Sequence, residues 1–160
     1  MRITKLKISG FKSLVDFEMD LAGFTCLIGL NGSGKSTLLQ CLDFLSQLVR
    51  GDMHGWFKER QWAVSDVRTR LTNQQTIEFD VSFDGNRRWH GTYNVYKRRC
   101  TRESVAVGGT TLDLSEQSLR VGGEGWPAPE KVSGPVNFDY FGSILSRLRR
   151  DLLPPDMAAP

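Results

Sequence analysis

One stretch of nine residues limits the possible folds more than any other part of this 160-residue chain. Gly29-Leu30-Asn31-Gly32-Ser33-Gly34-Lys35-Ser36-Thr37 carries the pattern Gly-x4-Gly-Lys-Ser without a mismatch. Before it, Phe24-Thr25-Cys26-Leu27-Ile28 reads as a short apolar strand of the kind buried on both faces. After it, Leu38, Leu39, Cys41, Leu42, Leu45, Leu48 and Val49 recur at helical spacing, and Gly51 stands past the last turn as a stop. The pattern therefore demands strand, tight loop and helix in succession. The glycines permit positive φ and let backbone N–H groups close around phosphate oxygens. The helix that starts near Gly34 adds its unpaired N–H groups and the positive end of its dipole.

These residue types point to a nucleoside triphosphate, ATP with Mg²⁺. Lys35 is expected to reach the β- and γ-phosphates, Ser36 to bind Mg²⁺, and Thr37 to donate to the α-phosphate. Asn31, Gly32, Ser33 and Gly34 shape the loop that contacts the phosphates. The competing dinucleotide fingerprint fails, because after Gly32-x-Gly34 it needs a third glycine where Thr37 stands.

The rest of the chain reads as one domain over residues 1–153 with a tail at 154–160. Ile3, Leu6 and Ile8 with Lys5 and Lys7 predict a half-buried strand. Gly10 breaks it, and Asp16–Leu21 alternates again. Residues 52–75, with Trp56, Phe57, Trp62, Val64 and Val67 among charges, predict a short helical or irregular segment over the sheet. Alternation at 76–115, broken by Asp84-Gly85-Asn86 and Gly108-Gly109, predicts an antiparallel meander. Gly and Pro at high density predict loop over 122–135. Residues 138–150 predict a helix with Phe141, Ile144, Leu145 and Leu148 on one face. The four tryptophans read as packing residues.

The run Ile3-x-x-Leu6-x-Ile8-x-Gly10-Phe11-Lys12-Ser13, followed by Leu27 to Leu39 with the Gly-Lys-Ser loop, resembles the amino-terminal lobe of RecF/SMC/OLD-like ATPases, often grouped as AAA-family ATPases. The close resemblance covers residues 2–49. It implies an α/β fold (more narrowly an α+β lobe) of the ABC-type P-loop NTPases, with a mixed sheet around the P-loop helix and an antiparallel β-meander. It also implies that Phe11-Lys12-Ser13 lies beside the nucleotide, which adds Lys12 and Ser13 as site candidates. The alternative is a lone surface lysine and a turn serine.

That family also uses an apolar run ending in Asp-Glu, for Mg²⁺ and the attacking water, and a Leu-Ser-Gly-Gly-Gln segment that pins the γ-phosphate of an opposing subunit. The first does not occur in this sequence. Arg120-Val121-Gly122-Gly123-Glu124 imitates the second without a hydroxyl, and neither His54 nor His90 fits a switch histidine. The resemblance thus implies the P-loop half of a longer or split ATPase, completed by a homodimer mate or a partner chain that supplies the signature motif. By itself such a lobe binds ATP weakly and hydrolyses it poorly.

The net charge of +3 is mild and permits an anionic partner without requiring one. Arg87-Arg88, Tyr93, Tyr96-Lys97-Arg98-Arg99 and Arg102 mix cations and rings, which suits DNA, although a charged edge strand that discourages aggregation is the commoner reading of such a pattern. Cys26, Cys41 and Cys100 are too few for a disulfide framework or zinc site, and the first two read as small core residues. The start lacks an apolar leader and no stretch reaches membrane-spanning length, so a soluble cytoplasmic protein with no membrane partner is expected.

Overall fold

Alternation of side chains builds the sheet. In β1 (Ile3–Ser9) Leu6 and Ile8 are buried while Lys5 and Lys7 point the other way, and in β3 (Thr76–Phe83) Ile77, Phe79 and Val81 repeat that choice. β2 (Phe17–Asp20), β4 (Arg87–Asn94), β5 (Arg99–Val107), β6 (Thr110–Ser115), β7 (Ser118–Gly123) and β8 (Val132–Pro135) complete one sheet in the order β2-β1-β3-β4-β5-β6-β7-β8. The computed structural model describes residues 1–115, 118–123, 132–135 and 140–147. The tail at 154–160 and Trp126 lie outside them.

Two helices cover one face. In α1 (Lys35–Arg50), Leu38, Cys41, Phe44, Leu45 and Leu48 are buried, and Gly51 closes the helix at φ 83° with its N–H on the Gln47 carbonyl at 2.9 Å. In α2 (Met53–Glu59), Asp52 caps the start through Gly55 N–H, and Met53, Trp56 and Phe57 are buried. A short 3₁₀ turn at Val64–Val67 follows and buries Val67. The middle of the core is aromatic. Phe44 lies 5.3 Å from Phe11, 5.9 Å from Trp56 and 5.2 Å from Tyr93, ring centre to ring centre.

The opposite face of the sheet is polar and self-neutralising. The pairing register aligns Glu18, Lys7, Asp80, His90, Ser104, Asp113 and Arg120 in one row across seven strands. Within and beside that row, Lys7 meets Glu18 at 2.9 Å, Lys5 meets Glu18 at 2.6 Å, and Arg88 Nε donates to Asp80 at 2.8 Å. Hydrogen bonds from Lys5 and Lys7 hold the Glu18 carboxyl at a pKa of about 2.

Several expectations are corrected. The sheet is not mixed: every pair of neighbouring strands is antiparallel, and the one parallel contact among the described residues is an isolated bridge from Arg99 to Gly142. Phe24–Ile28 is not a strand. It is irregular and open, with Phe24 86%, Ile28 90% and Leu30 86% exposed. A strand exists through its ladder, and no described residue pairs with this segment. Cys26 is accordingly exposed, whereas Cys41 and Cys100 are buried as small core residues. Residues 122–135 are not all loop, because Gly122-Gly123 end β7 and β8 starts at Val132. Arg120 to Gly123 therefore lies in a strand and does not open a helix.

The helix expected over 138–150 reduces, among described residues, to a 3₁₀ turn at Ile144–Ser146. Gly142 explains part of this: its N–H donates to Arg98 and its carbonyl accepts from Cys100 N–H, so backbone bonds go to the sheet. Ile144 is buried, but Phe141 is 51% exposed and does not share its face. The turn is anchored by the buried Glu103, which accepts from Trp89 Nε1 at 2.7 Å, Ile144 N–H at 3.0 Å and the Ser143 hydroxyl. Burial raises the Glu103 carboxyl above its ordinary value, and those three donors oppose the rise.

The exposure of Cys26 makes a simple expectation. A thiol reagent added to the native protein labels one cysteine, and Cys26→Ser abolishes that reaction. Cys41, whose thiol burial pushes up to about 12, and the fully enclosed Cys100 react only after denaturation. Failure of Cys26 to label in the native state would show that the segment is covered.

Candidate phosphate-binding site

The loop between Ile28 and α1 takes its shape from two left-handed glycines, Gly32 at φ 83° and Gly34 at φ 91°. L-residues with a Cβ rarely adopt this conformation, so the bend requires glycine at both. Gly34 is also the residue before the helix, and it has no side chain to cap the first turn. The first-turn N–H groups of Lys35, Ser36 and Thr37 have no acceptor within the helix. No acidic residue stands in that turn. The positive end of the helix is thus uncompensated and points at the loop, which suits a phosphate.

Lys35 arches back over this bend. Its Nζ donates to the carbonyls of Gly29 at 2.6 Å and Leu30 at 2.7 Å, and to Ser33 Oγ at 3.2 Å. Ser33 N–H returns to the Leu30 carbonyl at 3.2 Å. The ammonium is therefore held across the loop mouth by neutral oxygens. Asn31, Gly32 and Ser33 are exposed around it. No described group of three or more His, Cys, Asp or Glu side chains is placed to hold a metal ion. Ser36 is the metal-ligand candidate on the loop, and phosphate oxygens and water would supply the rest of the shell.

The two family-derived candidates separate. Ser13 Oγ donates to Thr37 Oγ1 at 3.4 Å and lies 3.9 Å from where a Cβ on Gly34 would stand, so it faces the loop. Lys12 turns away. It sits at φ 48°, its N–H donates to the Val67 carbonyl, and its Nζ reaches Gln40 Oε1 at 2.7 Å and stands 3.3 Å above the Trp62 ring. Partial burial is the main cause lowering its pKa. Gln40 lies nearly one turn beyond Thr37, so Lys12 flanks α1 and not the loop itself. Sequence reasoning missed Gln40 and Trp62, because only the fold brings residues 12, 40 and 62 together.

Beside the loop is a cavity of about 650 Å³. Gly29, Ser33, Lys35 and Ser13 form its polar end, and Leu14, Phe17, Met19, Leu27 and Leu38 its apolar wall. Its one carboxylate among the described residues, Glu18, is engaged by Lys5 and Lys7 and ionised down to a pKa of about 2, which makes it a poor proton acceptor. The arrangement can bind and orient a phosphate chain, but these residues offer no base to activate water.

Comparison with known proteins finds sequence relatives over the first two thirds of the chain. A family model described as an AAA ATPase domain matches residues 1–103. The chain is 29% identical over 99 residues to the OLD nuclease of Thermus scotoductus, covering 62% of this chain and 17% of that protein. It is 27% identical over 97 residues to the arginine transport ATP-binding protein ArgV of Corynebacterium glutamicum, covering 57% and 35%. It is 30% identical over 107 residues to the DNA replication and repair protein RecF of Actinobacillus succinogenes, covering 54% and 29%. The chain spans about a third or less of the length of these relatives.

Proposed function

Since the chain belongs to the AAA ATPase domain family, we propose that loop 29–37 holds the triphosphate of ATP with its Mg²⁺. The resemblance to RecF- and OLD-like, ABC-type P-loop ATPases holds at the level of the family and its relatives, and ATP binding in an ATPase follows from it. Lys35 sits on the β- and γ-phosphates, Ser36 on the metal, and Thr37 on the α-phosphate. Asn31, Gly32, Ser33 and Gly34 surround the chain of phosphates, and Ser13 closes one side. Bound Mg²⁺ would neutralise phosphate charge and polarise the γ-phosphoryl group. The observation that carries this reading is the Lys35 ammonium, clamped between the Gly29 and Leu30 carbonyls above an uncapped helix start.

Hydrolysis needs a free carboxylate, and the described one at the loop cavity, Glu18, is engaged by Lys5 and Lys7. The reading is therefore of an ATP-binding lobe that becomes catalytic when further polypeptide supplies such a carboxylate and a signature segment, from a homodimer mate or a partner chain. Phe24, Ile28 and Leu30 support this, because large apolar side chains left open on one short segment favour contact with other protein. The names of two relatives, a nuclease and a DNA replication and repair protein, support work on DNA; the pathway we infer for it is repair, maintenance or antiviral defence. The second reading, an ATP-binding module without turnover, draws on the same engaged Glu18.

The test is a calorimetric titration of the chain with ATP in the presence and absence of Mg²⁺. A saturable isotherm that weakens when Mg²⁺ is withdrawn is expected. A flat trace in both conditions would defeat the assignment of the loop.

A further inference from the structure

The basic stretch around the β4–β5 turn does not fit the role of a protected edge. β4 and β5 lie inside the sheet, flanked by β3 and β6, so their charges guard no open ladder. The stretch also breaks up in space. Arg88 is consumed by Asp80, Tyr93 is buried, and Arg102 belongs to the polar sheet face, opposite Thr92 and Ser115. Arg87 stands at the far end of β4, and Arg99 lies over the Tyr140 ring at 5.3 Å, which leaves Tyr96-Lys97-Arg98 on the turn itself, all exposed.

The fold adds to this remainder. Gly142 N–H donates to the Arg98 carbonyl at 2.9 Å, which sets Phe141 beside the turn. Ser143 N–H donates to the Leu48 carbonyl at 3.0 Å, and Ser146 packs against Gly51, which lays the segment carrying Arg147 along the end of α1 that carries Arg50. Lys97, Arg98, Arg50 and Arg147 are exposed, and none has a carboxylate partner among the described residues. Tyr96 is 66% and Phe141 51% exposed. The turn is preorganised, since Asn94 Oδ1 accepts from both Tyr96 N–H at 3.1 Å and Lys97 N–H at 2.9 Å. This surface lies at the far end of α1 from Lys35, roughly 24 Å away at 1.5 Å per residue.

We propose that Tyr96, Lys97, Arg98, Phe141, Arg147 and Arg50 form a docking surface for single-stranded nucleic acid. Four cations that no described carboxylate pairs with suit phosphodiesters, and two open rings suit unstacked bases, which a duplex or an acidic peptide does not present. The surface rests on the reading that this chain works on nucleic acid, and it is independent of the ATP site. Binding here at one end of α1 and ATP at the other would place both ligands on one rigid helix.

The experiment is fluorescence anisotropy with a labelled oligo-dT, over a salt series, on the full chain. The variants are Tyr96→Ala and the triple change Arg50→Gln, Lys97→Gln, Arg98→Asn; Asn is chosen because Arg98 sits at φ 55°, which Asn tolerates. Tyr96→Ala should weaken binding about tenfold. The triple variant should reduce the slope of log affinity against log salt by about 2. Both should keep the wild-type melting temperature and ATP affinity, since these side chains are exposed. No binding of oligo-dT by the wild type at low salt would overturn the nucleic-acid reading together with the surface. Wild-type binding that both variants retain would overturn the surface alone. Equal competition by polyglutamate, or duplex binding untouched by Tyr96→Ala, would also overturn it.

Discussion

Lys35→Ala is expected to lower ATP affinity by about 100-fold or more. Hydrogen bonds to charged groups contribute about 1.5–3 kcal/mol each, so removing two such bonds to phosphate costs at least twice the roughly 1.4 kcal/mol that sets each tenfold step. The change also removes the brace between the Gly29 and Leu30 carbonyls, so the loop loses its preset shape along with its charge. The fold should survive, because the loop is open to solvent and Lys35 contributes no core packing. Calorimetry with ATP and Mg²⁺, paired with a circular dichroism melt, separates the two effects. Unchanged affinity in a folded variant would remove Lys35 from the site.

Phe44→Ala should have the largest effect on stability, about 3–5 kcal/mol. Its ring is fully buried and touches the rings of Phe11, Trp56 and Tyr93, which belong to three different parts of the fold. A cavity there detaches α1 from β4, from the turn after β1 and from α2 at once. Since domains of this size carry only about 5–15 kcal/mol in total, the urea midpoint should fall by roughly a fifth or more. A loss below about 1 kcal/mol would mean that this aromatic cluster does not hold the helix to the sheet.

The sequence pattern was sufficient where the relevant contacts are local. The Gly-x4-Gly-Lys-Ser loop, helix α1 with its Gly51 stop, the β1 and β3 alternation and the β3–β6 meander all depend on residues within a few positions of each other. Even there, spacing misplaces the centre of the α1 stripe. Leu39 and Val49 count as apolar by spacing but are exposed, and Phe44 holds the core. The surroundings of the loop, which the family resemblance alone suggested, divide the same way: Ser13 reaches the loop, whereas Lys12 pairs with Gln40 and Trp62, partners 28 and 50 positions away.

Phe24–Ile28 marks the boundary between the two kinds of information. Its composition is that of a buried strand, and composition by itself determined that this segment seeks apolar cover. Whether it becomes a strand depends on a neighbour to complete the ladder, and the tertiary structure offers none among the described residues. The same holds for charge. The sequence determined how many cations the chain carries, but the register of the sheet decided which are neutralised across strands and which, at the β4–β5 turn and the end of α1, stand open to solvent. Loop geometry is a property of consecutive residues, and pairing is a property of distant ones. The bend of loop 29–37 could therefore be read from nine letters, while its surroundings required the fold.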